Sequence, residues 1–465
     1  MFRRLPSLLG IVIVLIAAVM LSLNACGGSS SHPASSGGKI QHVVIIVQEN
    51  RTPDNLFQDP ALMGPPRNTD IAQSGVNSKG QQIPLTQTDL VTNYDLSHRH
   101  PAFVSMYDGG KMNGADQIPV ICNPGATNCP PPNTQFQYVN PAEVQPYFQL
   151  AETYTFGDRM FQTNEGPSFP AHQFLISGTS APTATSNLFA AENVAPGTGA
   201  GCNAPLNNTV RLIDPTGNEN QTMYPCFEHA TLSDLLEAKG LTWRYYTPEP
   251  SFIWTGPDAI KHICQPQLQN GEPVCTGKDW GNVIIPQTKV LTDIANNQLA
   301  TVTWVIPSGQ ASDHTGTNHG QGPSWVASVV NAIGNSSYWA DTAIIITWDD
   351  WGGWYDHVPP PQVLLNCDTW GCGYVYGFRV PLIVVSPYAK AEYTSHATHD
   401  FGSILKYVEE NFGLPSLGYA DVAADDLSDC FDYTQTPLTF QTIQAPLKAE
   451  DFLRDPQPPT DPDDD

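Results

Sequence analysis

Four stretches of the chain are apolar and largely β-branched without alternation: residues 42–47, 301–306, 343–348 and 380–385. Continuous apolar runs bounded by turn residues are what buried parallel strands, covered on both faces, require. Between them, residues 232–239, 325–333 and 403–412 carry helical patterns, and each is closed by a glycine, Gly240, Gly334 and Gly413. Glycine just past a helix is a C-cap signal. Strands alternating with helices predict an α/β fold. Residues 55–146 and 182–225 are rich in Pro, Gly, Asn and Gln and predict long loop insertions around that core. No internal repeat is visible.

The 465 residues suffice for one large α/β domain with elaborations, and the hydrophobic content, 40%, is that of a globular chain. The start carries an address. Arg3 and Arg4 precede an apolar run over residues 8–23, followed by Leu23-Asn24-Ala25-Cys26. A basic start, an apolar core and small residues before a cut site make a secretory signal. Cys after Leu-x-Ala resembles a bacterial lipobox, with Cys26 lipidated and the protein anchored to a membrane. An uncleaved anchor is the competing reading, which the short apolar run disfavours. The expected organisation is a signal over residues 1–25, a Gly/Ser-rich tether over 26–38, one folded domain over 39–450 and a disordered acidic tail over 451–465.

Ten cysteines agree with export. Apart from Cys26, eight (Cys122, Cys129, Cys202, Cys226, Cys264, Cys275, Cys367 and Cys372) fall into close sequence pairs, which suggests four local bridges whose connectivity the sequence does not fix. A zinc site is disfavoured because no Cys-x-x-Cys occurs; Cys430 is left over. The net charge of -25 repels nucleic-acid backbones, so no nucleic-acid partner is expected. An anionic phosphate would have to be held locally, by a metal ion, a helix N-terminus or a few placed cationic side chains.

Ligands of open α/β sheets bind at the carboxyl ends of the strands. The first strand ends in Gln48-Glu49-Asn50-Arg51, where a carboxylate and an amide are good oxygen ligands for a cation, or plain loop residues. The run at 343–348 ends in Asp349-Asp350-Trp351-Gly352-Gly353-Trp354-Tyr355-Asp356-His357. Two adjacent carboxylates held ionised usually need a cation beside them, and paired glycines allow close backbone approach. In Gly166-Pro167-Ser168-Phe169-Pro170, the second proline falls where a helix would begin, which sets Ser168 at a helix N-terminus that favours an anion. There Ser168 is either a nucleophile or an ordinary N-cap. His98, His314 and His357 lie in predicted loops near acidic residues and are candidates for acid–base or charge-stabilising roles.

Together these motifs resemble the bacterial phosphoesterase family that contains the non-haemolytic phospholipases C and certain periplasmic acid phosphatases. The resembling segments, 42–57, 95–114, 166–178, 312–314, 347–360 and 378–432, run in the family's order over most of the chain after the tether. The resemblance implies an alkaline-phosphatase-like, mostly parallel sheet flanked by helices, and makes residues 39–450 a phosphoesterase domain. It implies a metal held by Glu49, Asn50, Asp349, Asp350 and the nucleophile Ser168, with His98, His314 and His357 in the pocket. An all-oxygen ligand set suits Ca²⁺, Mg²⁺ or Mn²⁺. Three positions depart from the family pattern. Thr52-Pro53-Asp54 stands where Ser-Phe-Asp is frequent, Pro170-Ala171-His172 where many members read Pro-Asn-Arg, and Asp349-Asp350 where the phospholipases mostly carry Asp-Glu. The expected activity is hydrolysis of phosphate esters, of the phospholipase C type on phosphodiesters or of the acid phosphatase type on phosphomonoesters. The aromatic residues from Trp351 to Tyr355 either contact a lipid or pack the site. A non-catalytic surface binding lipoprotein is the reading from a different class.

Overall fold

The computed structural model describes residues 38–197, 199–363 and 375–455. Its centre is a nine-stranded sheet. We number its strands β1 (His42–Gln48), β2 (Thr155–Phe161), β3 (Trp243–Tyr246), β4 (Val283–Ile284), β5 (Val302–Val305), β6 (Thr342–Trp348), β7 (Arg379–Val385), β8 (Tyr393–Ser395) and β9 (His399–Asp400). Their order is β4-β3-β5-β1-β6-β7-β2-β8, with β9 also on β2. Strand β1 is central, and every residue after His42 in it is buried. Its partners β5 and β6 are both parallel to it. All four apolar runs are strands of this sheet.

One direction differs from expectation. The run at 380–385 lies in β7, which is antiparallel to both β6 and β2. A strand buried on both faces reads as the same apolar run in either direction, so the sequence pattern could not reveal this. The remaining pairings of the sheet are parallel.

The three predicted helices form, as Leu232–Ala238, Gly322–Gly334 and Phe401–Phe412. Asp400 caps the last, accepting from the Ser403 amide at 3.1 Å, and Gly413 closes it in the left-handed region at φ 61°. A further helix, Ser168–Ser177, starts at the candidate nucleophile and is wholly buried. It packs on the sheet through Trp304 of β5, whose indole N–H donates to the Leu175 carbonyl at 3.2 Å.

The insertion-rich region builds a second apolar cluster containing Leu96, Phe103, Met106, Phe136, Trp351, Trp354, Tyr355 and Phe378. Trp351, Trp354 and Tyr355 are therefore packing residues, and a lipid cannot reach them in this structure. Three of the expected disulfides form, Cys122–Cys129, Cys202–Cys226 and Cys264–Cys275. The pair Cys367 and Cys372 lies outside the described residues, as do Cys26 and the signal. Cys430 is free and buried. Ordered structure runs past the expected boundary at 450: helix Ala449–Arg454 buries Phe452 against Trp325, with ring centroids 5.3 Å apart.

Candidate active site

Register creates the site. Gln48, the last residue of β1, pairs with Trp348, the last of β6. The residues that follow, Glu49 and Asp349, therefore leave the sheet side by side. The Asp349 amide donates to the Gln48 carbonyl at 3.0 Å, which carries the pairing one residue beyond the strands. Asn50 then turns into the left-handed region at φ 64°. The second loop passes directly over it. A Cβ on Gly352 would lie 2.4 Å from the Asn50 carbonyl oxygen, and one on Gly353 would lie 2.4 Å from Leu96 Cβ. Both glycines have positive φ, so they permit the turn as well as the contact.

Asp349 Oδ1 accepts from the Asp350 amide at 2.8 Å and the Asn50 amide at 3.2 Å. Its other oxygen, Oδ2, is buried with no hydrogen-bond partner. Asp350 Oδ1 accepts from the Gly352 amide at 2.7 Å, which aims Oδ2 at Ser168. The Ser168 hydroxyl lies 3.1 Å from Asp350 Oδ2 and 3.5 Å from Glu49 Oε2. Glu49, Asn50, Ser168, Asp349 and Asp350 are thus brought together, all buried.

The first turn of the Ser168 helix offers fewer amides to an anion than its position promised. Phe169 N–H is taken by the Asn193 side chain at 2.9 Å, and Pro170 has none.

His98 and His314 also arrive here, 5.7 Å apart between ring centroids. Each ring is held through Nδ1 by a backbone carbonyl, Leu96 at 2.8 Å and Thr315 at 2.7 Å. The Asn50 side chain sits between them and the carboxylates, and only one of its two orientations satisfies both ends of the amide. In one, its nitrogen donates to Glu49 and Asp349, and its oxygen accepts from both histidines, which must then be protonated on both nitrogens. In the other, its nitrogen faces Nε2 of neutral His98 at 3.1 Å. Its oxygen then meets Asp349 Oδ1 at 3.1 Å and Glu49 Oε2 at 3.2 Å. That orientation leaves the amide oxygen facing only acceptors, and the first one satisfies both ends of the amide. The buried Asp349 Oδ2, left without a hydrogen-bond partner, and the buried carboxylates of Glu49 and Asp350 close to it make a donor set that fits a divalent metal.

Sequence reasoning missed His172. It lies one helical turn after Ser168, with Nε2 3.3 Å from Glu49 Oε1 and 3.7 Å from Asp349 Oδ2, and it is fully buried. Glu49, His172 and Asp349 form a group able to hold a metal ion. The i, i+4 spacing from Ser168 was the available signal.

The contacts of His357 lead away from this group. Its ring bonds Asp54 at 2.7 Å and Asp70 at 2.9 Å. Burial opposes its protonation, but the neighbouring carboxylates Asp54 and Asp356 outweigh that and raise its pKa to about 9. Arg379, fully buried, grips Asp356 through Nε at 2.9 and 3.1 Å and reaches Asp54 at 3.2 Å. Asp54, Asp356 and His357 also lie close enough to share an ion, yet Arg379 and His357 already neutralise those carboxylates. This network ties the loop after β1 to the loop after β6, so His357 supports the site instead of facing the nucleophile. Arg51 is likewise structural. Its guanidinium donates twice to the Asp313 carbonyl and lies 5.2 Å over Trp354. Asp313 accepts from Tyr147 and Trp348, and burial raises its pKa to about 6.

The Phosphoesterase family matches over residues 40–415. Phospholipase C B of Mycobacterium tuberculosis is 23% identical over 442 residues, covering 86% of this chain and 78% of that protein. Hemolytic phospholipase C of Pseudomonas aeruginosa is 24% identical over 85% of this chain and 56% of its own length. Among solved structures, a protein in the alkaline phosphatase superfamily from Vibrio parahaemolyticus is similar with a TM-score of 0.38 at 11% identity, over 88% of this chain and 74% of that one. This chain belongs to the Phosphoesterase family and is a phosphoric ester hydrolase.

Proposed function

We propose that Ser168 is the nucleophile of a metal-dependent phosphoesterase of the phospholipase C type, exported and anchored through Cys26. The observation that carries this reading is the Ser168 hydroxyl, seated at a helix start 3.1 Å from Asp350 and 3.5 Å from Glu49. Buried carboxylates alone oppose ionisation of that hydroxyl, so its ionisation calls for the cation those same carboxylates would hold.

Glu49, Asn50, Asp349, Asp350 and Ser168 would hold the cation. When bound, it lowers the pKa of the serine hydroxyl and neutralises charge building on the phosphoryl oxygens. The chain's own groups do the rest. Asp350 accepts the Ser168 hydrogen bond and orients its oxygen for in-line attack on phosphorus. The Ser168 amide supplies a hydrogen bond to a phosphoryl oxygen. His98 or His314, each fixed through Nδ1, presents Nε2 and protonates the leaving alcohol. Water then hydrolyses the phosphoserine.

The phospholipase C relatives favour lipid phosphodiesters as substrate. The burial of Trp351, Trp354 and Tyr355 removes the sequence feature that suggested lipid contact, and it keeps phosphomonoesters as the second reading. The test compares hydrolysis of phosphatidylcholine and of a chromogenic aryl phosphate by wild type and Ser168→Ala, with and without chelator. Loss in both the variant and the chelated enzyme is expected, and the preferred ester names the subclass. Near-normal turnover by Ser168→Ala would rule out the nucleophile assignment.

A further inference from the structure

We infer that His172 is itself a ligand of the cation held by Glu49 and Asp349, so that the metal centre of this chain is a mixed nitrogen–oxygen site, with Tyr245 fixing the ring in its metal-binding tautomer. The inference rests on the metal dependence proposed above and specifies the class of metal.

Three observations carry it. First, the tautomer is set from outside. The Tyr245 hydroxyl donates to the Trp254 carbonyl at 2.6 Å, so toward His172 Nδ1, 3.2 Å away, its oxygen can only accept. A ring proton therefore sits on Nδ1, which leaves Nε2, facing Glu49 and Asp349, as the nitrogen that can offer a lone pair to a cation. A ligating histidine whose other nitrogen is fixed by a hydrogen bond is the usual arrangement at metal sites.

Second, the separations suit ligands sharing a cation better than a buried ion pair. A charged N–H on a carboxylate lies about 2.7–2.9 Å from it. Here Nε2 is 3.3 Å from Glu49 Oε1 and 3.7 Å from Asp349 Oδ2. Donors about 2.1 Å from one shared cation lie roughly 3.0–3.4 Å from each other, from octahedral to tetrahedral coordination.

Third, Asp349 Oδ2, the oxygen facing His172, is buried without any hydrogen-bond partner. An ionised oxygen left so would be costly unless a cation completes it.

An imidazole in the ligand set moves preference from Ca²⁺ and Mg²⁺, which favour oxygen, toward Mn²⁺, Zn²⁺ and the metals between them. His172 occupies the position where an Arg is frequent in the family pattern, so this change belongs to the chain and not to the shared ligand set.

The test loads the full chain with Mn²⁺ and reads nitrogen coupling by pulsed electron paramagnetic resonance, with and without ¹⁵N-histidine. A coupled histidine nitrogen is expected in wild type and lost in His172→Gln, together with Mn²⁺ affinity falling by about tenfold or more. Tyr245→Phe should keep the coupling and weaken Mn²⁺ binding by about tenfold. The wild-type isotope measurement stands even if the buried variants do not fold. Mn²⁺ binding that depends on Glu49 and Asp349 but shows no nitrogen coupling would overturn the role of His172 and leave an oxygen-only site. Mn²⁺ binding that is indifferent to Glu49→Gln and Asp349→Asn would overturn the metal site itself, and this inference with it.

Discussion

Replacing Gly352 by alanine should damage catalysis far more than its single methyl suggests. The residue has φ +61°, which costs a non-glycine residue roughly 1–2 kcal/mol. The added Cβ would also lie 2.4 Å from the Asn50 carbonyl oxygen, 2.8 Å from Asn50 Cβ and 2.9 Å from its carbonyl carbon. Two of those atoms are backbone, so one loop must move away from the other. The Gly352 amide holds Asp350 at 2.7 Å, and Asp350 holds Ser168 at 3.1 Å, so the displacement is passed to the nucleophile. A shift of about 1 Å at a reacting group costs about 100-fold in turnover, equivalent to roughly 2.7 kcal/mol of barrier. Gly80→Ala supplies the calibration. Gly80 has φ +73°, and a methyl added there would meet nothing within 4 Å, so it isolates the backbone cost. The assay is turnover of a chromogenic phosphate ester alongside urea unfolding for both variants. Gly80→Ala should lose about 1 kcal/mol of stability and no activity. If Gly352→Ala turned over within threefold of wild type, the reasoning that loop contact positions Asp350 would be refuted.

Other outcomes follow from the supporting network. His357 has a folded pKa raised to about 9 from 6.5, so its stabilisation is complete below pH 6.5 and is lost as pH rises through 9. In urea titrations His357→Gln should therefore be least stable relative to wild type near pH 6, by about 1–3 kcal/mol, with the gap closing by pH 10. Arg379→Met strands Asp54 and Asp356 in the interior and should cost about 3–5 kcal/mol in the same titrations, while a double variant that also replaces Asp356 by a neutral residue should recover part of that. Burial raises the Asp258 pKa well above its usual value, so stability is lost as pH rises above about 4. Asp258→Asn removes that titration, and its stability relative to wild type should increase by about 1.4 kcal/mol per pH unit until the folded pKa is passed.

The sheet's long apolar strands were legible from residue order alone, because a strand buried on both faces needs continuous β-branched residues. Residue order determined the helix ends at Gly240 and Gly413 through glycine's freedom at positive φ. It also drew attention to Glu49, Asn50, Asp349 and Asp350, because polar groups beside glycines and aromatics at strand ends are chemically conspicuous, whereas Ser168 gained its candidate role from the family resemblance. Strand β2 was not legible. Its Gly157 and Asp158 break the apolar pattern, and their reasons are tertiary: Leu382 fills the space over Gly157, and the Asp70 amide and His396 both bond Asp158 Oδ2. The direction of β7 was equally hidden, since hydrophobic pattern carries no polarity. Only the fold decided the roles of the histidines. His98, His172, His314 and His357 all stand near acidic residues in sequence or in space, but partners distant in the chain distinguish them. The pairing of Gln48 with Trp348 places Glu49 and Asp349 within reach of His172, whereas Asp54 and Asp70 draw His357 away. A titratable side chain takes its function from the charges and dipoles packed around it, and those are fixed by strand register and loop crossing, which no local pattern encodes.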